Sequence, residues 1–528
     1  MTGEQRPPMA TVKFNESHFV ALVCVTWLAA FVFYWPIPLN HDVSWYLVST
    51  GRLLDGERAY RDVIELNPPL AFYLTMPPIL ASRIAGLTPE HGFIGYMFLL
   101  MAVSLALVHR LLGRLPESRP LYRRGMLVAV LAAYIALPMS SFGQREHLMF
   151  VLALPYILLA AVRMADGACR PGLAVLIGVL AAAGFGLKPY FLIVPALLEI
   201  YVVIARRSLR VLFRAETWTL GAGIAVYAAS IFLLTPEYLR FIVPMATLVY
   251  GAYGAPMNAV IGSMPYPAFL LAAGTYAVVR RAGPADRMAD VLALAAAGFI
   301  ADYLAQSKGW LYHLIPALAS AWLLMMSILL RHVGRQATTA SQPWKSAMLY
   351  GAVAAVSYLL IGAQTIVPYR NTLAEDLLPV VQKQAAGGSI AALSSYVWVG
   401  FPLVNEAHVA WASRFPAQWL LPGVIGRLAH PESLDPTTRQ KLADIEHYNL
   451  DAVIDDLRNG HPDLVLVDDD SPYFGSDGFN YLAYFGRDPR FAELWQSYVR
   501  IGEASMNVGG NRRFEIWCRR YPNHDCAS

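Results

Sequence analysis

Four polar segments at the ends of long apolar stretches carry the side chains that could do chemistry. Asp42 follows the first apolar stretch, and Arg145-Glu146-His147 precedes a later one. Lys188 lies in a third such segment, and Lys308 and His313 lie in a fourth. A carboxylate can accept a proton from a hydroxyl group, and Lys or Arg can bind a phosphate. Together they suit the transfer of a group from a phosphate-bearing donor to an acceptor hydroxyl.

The composition predicts an integral membrane protein. Of the 528 residues, 56% are hydrophobic and only 15% are charged, whereas soluble domains usually contain about 25% charged residues. Aromatic residues reach 12%, as expected where rings anchor helices at membrane interfaces. The Arg residues cluster in short loops between apolar stretches, so the positive net charge needs no nucleic-acid partner.

Eleven stretches are apolar enough to be membrane spans, each of which needs roughly 20 helical residues. They cover residues 18–39, 92–109, 125–140, 147–163, 172–187, 189–205, 217–234, 265–280, 288–305, 311–330 and 346–362. With a cytoplasmic N-terminus, the inner loops carry 17 Lys or Arg residues and the outer loops carry eight. This bias follows the positive-inside rule and places all four polar segments on the outer face.

Residues 69–87 form a further apolar stretch that we do not expect to cross the membrane. A crossing there would move the Arg-rich loop 110–124 to the outer side, against the positive-inside rule. The Pro77-Pro78 pair also disfavours a straight crossing helix. We therefore predict a helix that lies in the outer interface.

The charge balance changes near residue 363 and predicts two domains. Residues 1–362 carry 27 Lys or Arg and 17 Asp or Glu residues, whereas residues 363–528 carry 14 and 20. The first range would be the membrane domain, with an external loop at 40–91. Strand-like runs among helical stretches predict that the second range is a small external α/β domain.

The cysteine residues leave one question open. Cys518 and Cys526 both lie in the predicted external domain. An oxidising compartment would allow them to pair, but two cysteines near a chain end can also stay free.

The sequence resembles the GT-C superfamily of membrane glycosyltransferases, especially the aminoarabinose transferases of lipid A and the protein O-mannosyltransferases. Asp42 matches the acid in their first external loop, and Tyr46 lies on the aromatic helix that follows it. Pro68-Pro69-Leu70 matches the start of their interfacial helix. Glu146 and Lys188 match an acid after the third span and a Lys after the fifth span of the aminoarabinose transferases.

This resemblance covers roughly residues 18–205 and implies an inverting transfer of a hexosyl or pentosyl group. The donor would be a polyprenyl-phosphate-linked sugar, and the acceptor would be an envelope glycan, lipid or protein. The reaction would take place on the outer face of a bacterial inner (plasma) membrane. The implied catalytic residues are Asp42, as the general base, and Glu146. The candidate substrate-binding residues, some of which lie beyond the range of the resemblance, are Tyr46, Tyr60, Arg145, His147, Lys188, Lys308 and His313.

The first loop departs from the superfamily pattern. Many relatives have Asp-Glu there, whereas Val43 follows Asp42 in this chain. With a single carboxylate in this loop, Asp42 is better interpreted as a general base than as one of two metal ligands. We therefore expect no metal site and no cofactor, although binding of a divalent cation is a possibility that the sequence does not decide. The acidic run Asp468-Asp469-Asp470 is expected to be a solvated loop.

A transporter or flippase of lipid-linked sugars is the alternative function, because it would use the same charges without forming a bond. Transporters tend to contain internal repeats and polar sites at the bilayer midplane, whereas these polar segments share one face. Individual residues also have plain structural explanations. Asp42 could cap a helix, Glu146 could pair with Arg145, and Lys188 could be an interface anchor. Solvated loop charges are expected at Asp55, Asp62 and Glu65.

Overall fold

A computed structural model of the chain describes residues 16–115, 119–282, 286–336, 343–362, 365–469, 471–474, 479–507, 511–521 and 526. The first part is helical. Its helices are α1 (Glu16–Tyr34), α2 (His41–Leu54), α3 (Leu70–Ala85), α4 (Pro89–Leu112), α5 (Pro120–Ile135), α6 (Arg145–Met164), α7 (Pro171–Phe185), α8 (Ile193–Arg206), α9 (Ala215–Leu234), α10 (Val243–Val249), α11 (Met257–Gly262), α12 (Tyr266–Ala282), α13 (Arg287–Gln306), α14 (Ile315–Gln336) and α15 (Pro343–Gly362).

Each predicted membrane span coincides with one of these helices. Within the described ranges, seven segments are long and apolar enough to cross a membrane. They are Glu16–Tyr34, Pro89–Leu112, Arg145–Met164, Pro189–Arg206, Ala215–Leu234, Arg287–Gln306 and Leu311–Val333. The chain is therefore a multi-pass membrane protein, and the number of eleven crossings stays a prediction.

The predicted interfacial helix is α3. Pro77 and Pro78 lie inside α3 and do not end it. The helix ends at Ala85 and is followed by Gly86, whose φ of 65° is readily accessible to a residue without a Cβ atom. The helix packs between α2 and α4. Its position next to α2 places it beside the helix that carries Asp42.

Helix α6 is the centre of the membrane domain. Its apolar window is 94% buried, whereas that of α9 is 6% buried. An apolar face can be covered by lipid or by other helices, and in α6 it is covered by α4, α7 and α13, which pack around it. Because α6 begins at Arg145, this packing puts the Arg-Glu-His run at the middle of one end of the bundle.

The second part is an α/β domain, as predicted. Its helices are α16 (Thr372–Gln384), α17 (Leu403–Ala407), α18 (Leu421–Leu428), α19 (Pro436–Gly460), α20 (Tyr481–Phe485) and α21 (Pro489–Trp495). Its strands are β1 (Ser389–Leu393), β2 (Ala410–Trp411), β3 (Leu464–Asp468), β4 (Tyr498–Asn507) and β5 (Asn511–Arg519). The predicted boundary at residue 363 lies outside the described residues.

The strands form one sheet in the order β2-β1-β3-β5-β4. Strands β2, β1 and β3 are parallel, and β5 is antiparallel to both β3 and β4. All five residues of β3 are buried, and the first four form the continuous apolar run that is typical of a strand buried on both faces. The cysteine pairing that the sequence leaves open is formed, since Cys518 on β5 is bonded to Cys526.

The α/β domain contacts α2 and the loop that follows it. The Ile64 N–H donates to the Arg414 carbonyl at 2.8 Å, and Arg52 Nη1 donates to the Ser413 carbonyl at 2.7 Å. These contacts join segments that are far apart in sequence. The two domains therefore enclose the space next to Asp42.

A second contact between the domains joins α18 to α10. A Cβ atom added to Gly423 of α18 would lie 2.0 Å from the carbonyl oxygen of Val249 in α10. Only a glycine allows the two backbones to approach this closely. The contact fixes the other side of the space between the domains.

Candidate active site

Asp42 lies in the first turn of α2 and does not cap it. Asn40 is the N-cap, because its side chain accepts a hydrogen bond from the Asp42 N–H at 3.0 Å. The Asp42 carboxylate is about one-fifth exposed, and Arg145 Nη2 lies 3.9 Å from it. Gln144 Nε2 lies at 3.5 Å. These two side chains hold the acid in place, and part of its carboxylate stays exposed.

Two cavities meet beside Asp42. The first, which we call the acid cavity, has a volume of about 500 Å³ and contains Asp42 between the two domains. The second, the lysine cavity, has a volume of about 560 Å³ and is lined by Lys188, Lys308 and His313. Both cavities share the lining residues Leu66, Asn67, Arg145, Tyr250, Trp310 and Tyr312. The acid and the lysines thus lie on opposite sides of one shared wall.

Arg145 is the charged member of that wall. Its Nη1 donates to the Tyr46 hydroxyl at 3.4 Å, and its guanidinium carbon lies 5.5 Å from the centroid of the Tyr46 ring. Tyr46 therefore positions the guanidinium and does not depend on a substrate to do so. A planar cation that faces both cavities suits an anion bound between them.

Glu65 is buried in the acid cavity, which corrects the expectation of a solvated loop charge. Its carboxylate accepts hydrogen bonds from Trp45 Nε1 at 2.7 Å and from the Tyr46 hydroxyl at 3.1 Å. The donors lie about twenty residues earlier, and the sequence does not show that they face this acid. Asp55 and Asp62 do remain near the surface, where each pairs with an Arg.

Lys188 is the centre of a buried charged cluster. Its ammonium contacts Glu146 Oε1, donates to Gln306 Oε1 at 3.0 Å and lies 3.3 Å from His313 Nε2. Glu146 therefore pairs with Lys188 and not with Arg145. Among the described atoms, Glu146 Oε2 and His313 Nδ1 have no hydrogen-bond partner. The cluster combines a fixed pair of charges with unused hydrogen-bonding capacity.

Lys308 lies between α13 and α14 and is held by Tyr250. Its Nζ donates to the Tyr250 carbonyl at 3.2 Å and lies 4.0 Å from the centroid of the Tyr250 ring. Burial lowers the pKa of the Lys308 ammonium to about 8. A partly desolvated ammonium at a cavity wall is stabilised by an incoming anion.

Tyr60 and His147 are not brought to either cavity. The Tyr60 hydroxyl donates to the Asn67 carbonyl at 2.8 Å, and its φ is 65°. His147 is buried, and its Nδ1 accepts from the Gly143 N–H at 3.0 Å. Both residues hold loops that carry lining residues, so their expected substrate contacts are absent from the two cavities.

The described part of the chain contains no group of three or more His, Cys, Asp or Glu residues placed to hold a metal ion. In the acidic run after β3, Asp468 accepts from Ser394 Oγ at 2.9 Å, and Asp469 pairs with Arg513. Asp470 lies outside the described residues. Asp468 is buried in β3, which corrects the expectation of a solvated loop at that residue.

No protein-family model matches this chain, and no curated protein matches it. Its structure is similar to that of ArnT from Cupriavidus metallidurans bound to undecaprenyl phosphate, with a TM-score of 0.54 and 11% identity over 95% of this chain and 98% of that one. The apo state of ArnT gives a TM-score of 0.50 and 12% identity over 94% and 97%. The arabinofuranosyltransferase AftD from Mycobacteria gives a TM-score of 0.42 and 15% identity over 97% and 42%.

The likeness to ArnT extends along almost all of both chains. At such low identity it shows the fold, and it does not transfer activity or site residues. The predicted fold is therefore confirmed as the fold of ArnT: a helical membrane domain followed by a small α/β domain.

Proposed function

We propose that this chain, a membrane protein with the GT-C fold, is an inverting glycosyltransferase that uses a polyprenyl-phosphate-linked sugar. The observation that carries the proposal is the shared wall: Arg145 separates the acid cavity of Asp42 from the lysine cavity. A base and a set of phosphate-binding cations thus flank one point. ArnT, which has the same fold, holds undecaprenyl phosphate.

The reaction follows from this division. The donor phosphate lies in the lysine cavity, and the acceptor hydroxyl lies in the acid cavity beside Asp42. The carboxylate takes the hydroxyl proton as the acceptor oxygen bonds to C1 of the sugar. The bond between C1 and the phosphate oxygen breaks, and polyprenyl phosphate leaves. A single displacement from the opposite side inverts the configuration at C1.

The cations stabilise the leaving phosphate in different ways. Arg145 and Lys308 face the cavity and contact the phosphate, since hydrogen bonds to charged partners are the strong ones. Lys188 is tied to Glu146, so it supplies positive charge from a fixed position. Glu146 then acts by orienting Lys188, and Tyr46 acts by orienting Arg145.

The proposed setting is the outer face of a bacterial inner membrane, with the N-terminus in the cytoplasm. The positive-inside bias of the loops supports this orientation. The transferred group is a hexosyl or pentosyl residue, and the acceptor belongs to the cell envelope.

The test is transfer by membranes that contain the full chain. Labelled polyprenyl-phosphate sugars are supplied, and both the released polyprenyl phosphate and the labelled product are measured. Asp42→Asn should lower turnover by about 10² to 10⁴-fold, the usual contribution of a general base. Asp62→Asn, which changes a surface acid of the same loop, should keep wild-type turnover.

Near wild-type turnover by well-expressed Asp42→Asn would show that Asp42 is not the base. Movement of the labelled donor between leaflets with no product formed would instead support a transporter. Product formation is therefore the measurement that separates the two functions.

A further inference from the structure

The α/β domain lines the acid cavity with the loops that follow its three parallel strands. Residues 395–398 follow β1, residues within 416–419 follow β2, and Tyr473 follows β3. Strand β1 lies between β2 and β3, so the chain crosses to opposite sides of β1 in its two successive connections. In open α/β sheets, ligands bind outside the carboxyl ends of the strands at such a reversal. The sheet thus turns its usual ligand-binding edge towards Asp42.

This wall of the cavity is built from aromatic rings. The ring centroids of Tyr253 and Tyr473 lie 4.4 Å apart, and those of Tyr396 and Tyr473 lie 4.9 Å apart. Trp398 and Trp419 line the same side. The face of an aromatic ring is electron-rich and attracts weakly polarised C–H groups. A ligand with apolar C–H faces would fit against these rings.

One polar atom in this wall lacks a partner. Trp419 is buried, lines the cavity, and its Nε1 has no hydrogen-bond acceptor among the described residues. By contrast, Trp45 Nε1 donates to Glu65, and Trp411 Nε1 donates to the Phe415 carbonyl. A buried indole N–H usually has an acceptor. The Trp419 N–H is therefore an unsatisfied donor in a residue that lines the cavity.

The side chains with which the α/β domain lines the cavity are uncharged. The lining residues that the α/β domain contributes are Ser395, Tyr396, Val397, Trp398, Pro416, Ala417, Trp419 and Tyr473. The charged groups of the cavity lie opposite, on the membrane domain, and the lysines lie beyond Arg145. A cation does lie next to this wall, since the guanidinium carbon of Arg512 is 4.5 Å from the centroid of the Tyr396 ring. That guanidinium is stacked on the ring, and a neutral ring with hydroxyl groups matches the aromatic faces and the Trp419 donor.

We infer that this wall is an acceptor subsite for carbohydrate. A neutral sugar ring of the acceptor stacks on Tyr473 and Tyr396, and one of its oxygens accepts a hydrogen bond from Trp419 Nε1. The next hydroxyl along the acceptor then reaches Asp42. The inference rests on the proposed function and makes the acceptor a glycan or a glycolipid instead of a protein.

Binding, measured without turnover, tests this subsite. The full chain is placed in lipid nanodiscs, because sugar-based detergents would compete, and is titrated with three soluble trisaccharides: maltotriose, chitotriose and an arabinofuranose trisaccharide. A peptide of similar mass that contains Ser and Thr is the fourth probe. Saturation-transfer NMR should show that at least one trisaccharide binds and that the peptide does not.

Three variants locate the binding. Trp419→Phe keeps a ring and removes the N–H group, so it should weaken trisaccharide binding by roughly three- to tenfold. Tyr473→Leu removes a stacking face and should weaken binding at least as much. Trp218→Phe, on the exposed surface of α9, should bind as the wild type does. A normal thermal unfolding curve shows that each variant is folded.

The inference is overturned if no trisaccharide binds, or if binding is unchanged in both Trp419→Phe and Tyr473→Leu. Peptide binding that depends on these rings would also overturn it. Donor turnover is measured separately. Ring-dependent sugar binding without turnover of any lipid-linked donor would refute the proposed function alone, and turnover without such binding would refute the subsite alone.

Discussion

Arg145 Nη2 lies 3.9 Å from Asp42 Oδ2, across the boundary between the acid cavity and the lysine cavity. The distance is longer than that of a close ion pair, because the guanidinium is also held by the Tyr46 hydroxyl. The arginine is thus positioned near the acid without forming a close ion pair with it. In the proposed reaction, the Arg145 guanidinium would contact the donor phosphate, and Asp42 would act as the base.

Replacement of Arg145 by Lys should weaken donor binding. The ammonium keeps the charge but lacks the planar fork that Tyr46 positions. Because a hydrogen bond to a charged group contributes about 1.5–3 kcal/mol, the donor KM should rise roughly tenfold to a hundredfold. Steady-state kinetics with varied donor measure this change. Arg58→Lys, on the surface of the same external loop, is the control, and an equal KM in both variants would contradict the assigned role.

The buried pair of Glu146 and Lys188 should dominate local stability. Loss of one partner leaves the other charge buried alone, which costs about 3–5 kcal/mol. Glu146→Gln and Lys188→Met should therefore each lower the unfolding temperature clearly. The double variant should be more stable than either single variant, because no lone charge is left.

The same double variant separates stability from function. It should stay inactive although it is folded, because the fixed positive charge beside the phosphate is gone. Thermal unfolding and donor turnover are measured on the same preparations. Additive destabilisation in the double variant would show that the two side chains are not coupled, and restored turnover would show that Lys188 only balances Glu146.

Much of the fold follows from local sequence. Apolar runs of helical length predict each long helix of the membrane domain, and the continuous apolar run at 464–467 predicts the buried strand β3. Such patterns depend on neighbouring residues and need no knowledge of distant contacts. The polar segments at the span ends also identify the acid and the lysines that meet in the site.

The pairing of charges could not be predicted in this way. Spacing alone suggests Arg145 as the partner of Glu146, yet successive residues of a helix point in different directions. Glu146 faces inwards to Lys188, which is 42 residues away in sequence. Glu65 is misjudged for the same reason, since its donors Trp45 and Tyr46 reach it only after the loop has folded. The aromatic residues with which the α/β domain lines the acid cavity are far from Asp42 in sequence, so no local pattern predicts that they lie beside it.

The lowered pKa of Lys308 predicts a pH dependence. Burial brings this pKa to about 8, so the ammonium is charged below that pH and neutral above it. Donor phosphate binds the charged form, and kcat/KM for the donor should therefore fall as the pH rises through about 8. Because kcat/KM reports groups of the free enzyme, it is the quantity to measure, over about pH 6.5 to 9.5.

Lys308→Arg provides the matched control for this profile. Arg stays protonated throughout the range, so the fall in kcat/KM near pH 8 should disappear. A wild-type profile that is flat through this region would remove Lys308 from the donor site. The same would follow if the variant retained the wild-type fall.

Gly423→Ala should shift the α/β domain relative to the membrane domain. The added Cβ would lie 2.0 Å from the Val249 carbonyl oxygen, and backbone atoms on both sides cannot yield as a flexible side chain would. The acid cavity lies between these domains, so transfer should fall strongly while the membrane helices remain folded.

Gly426→Ala is the control on the same helix, because nothing lies within 4 Å of its added Cβ. That variant should keep full transfer and gain about 0.5–1 kcal/mol of helix stability. Limited proteolysis of the α/β domain and donor turnover measure both effects, and equal turnover in the two variants would show that the α10–α18 contact does not shape the site.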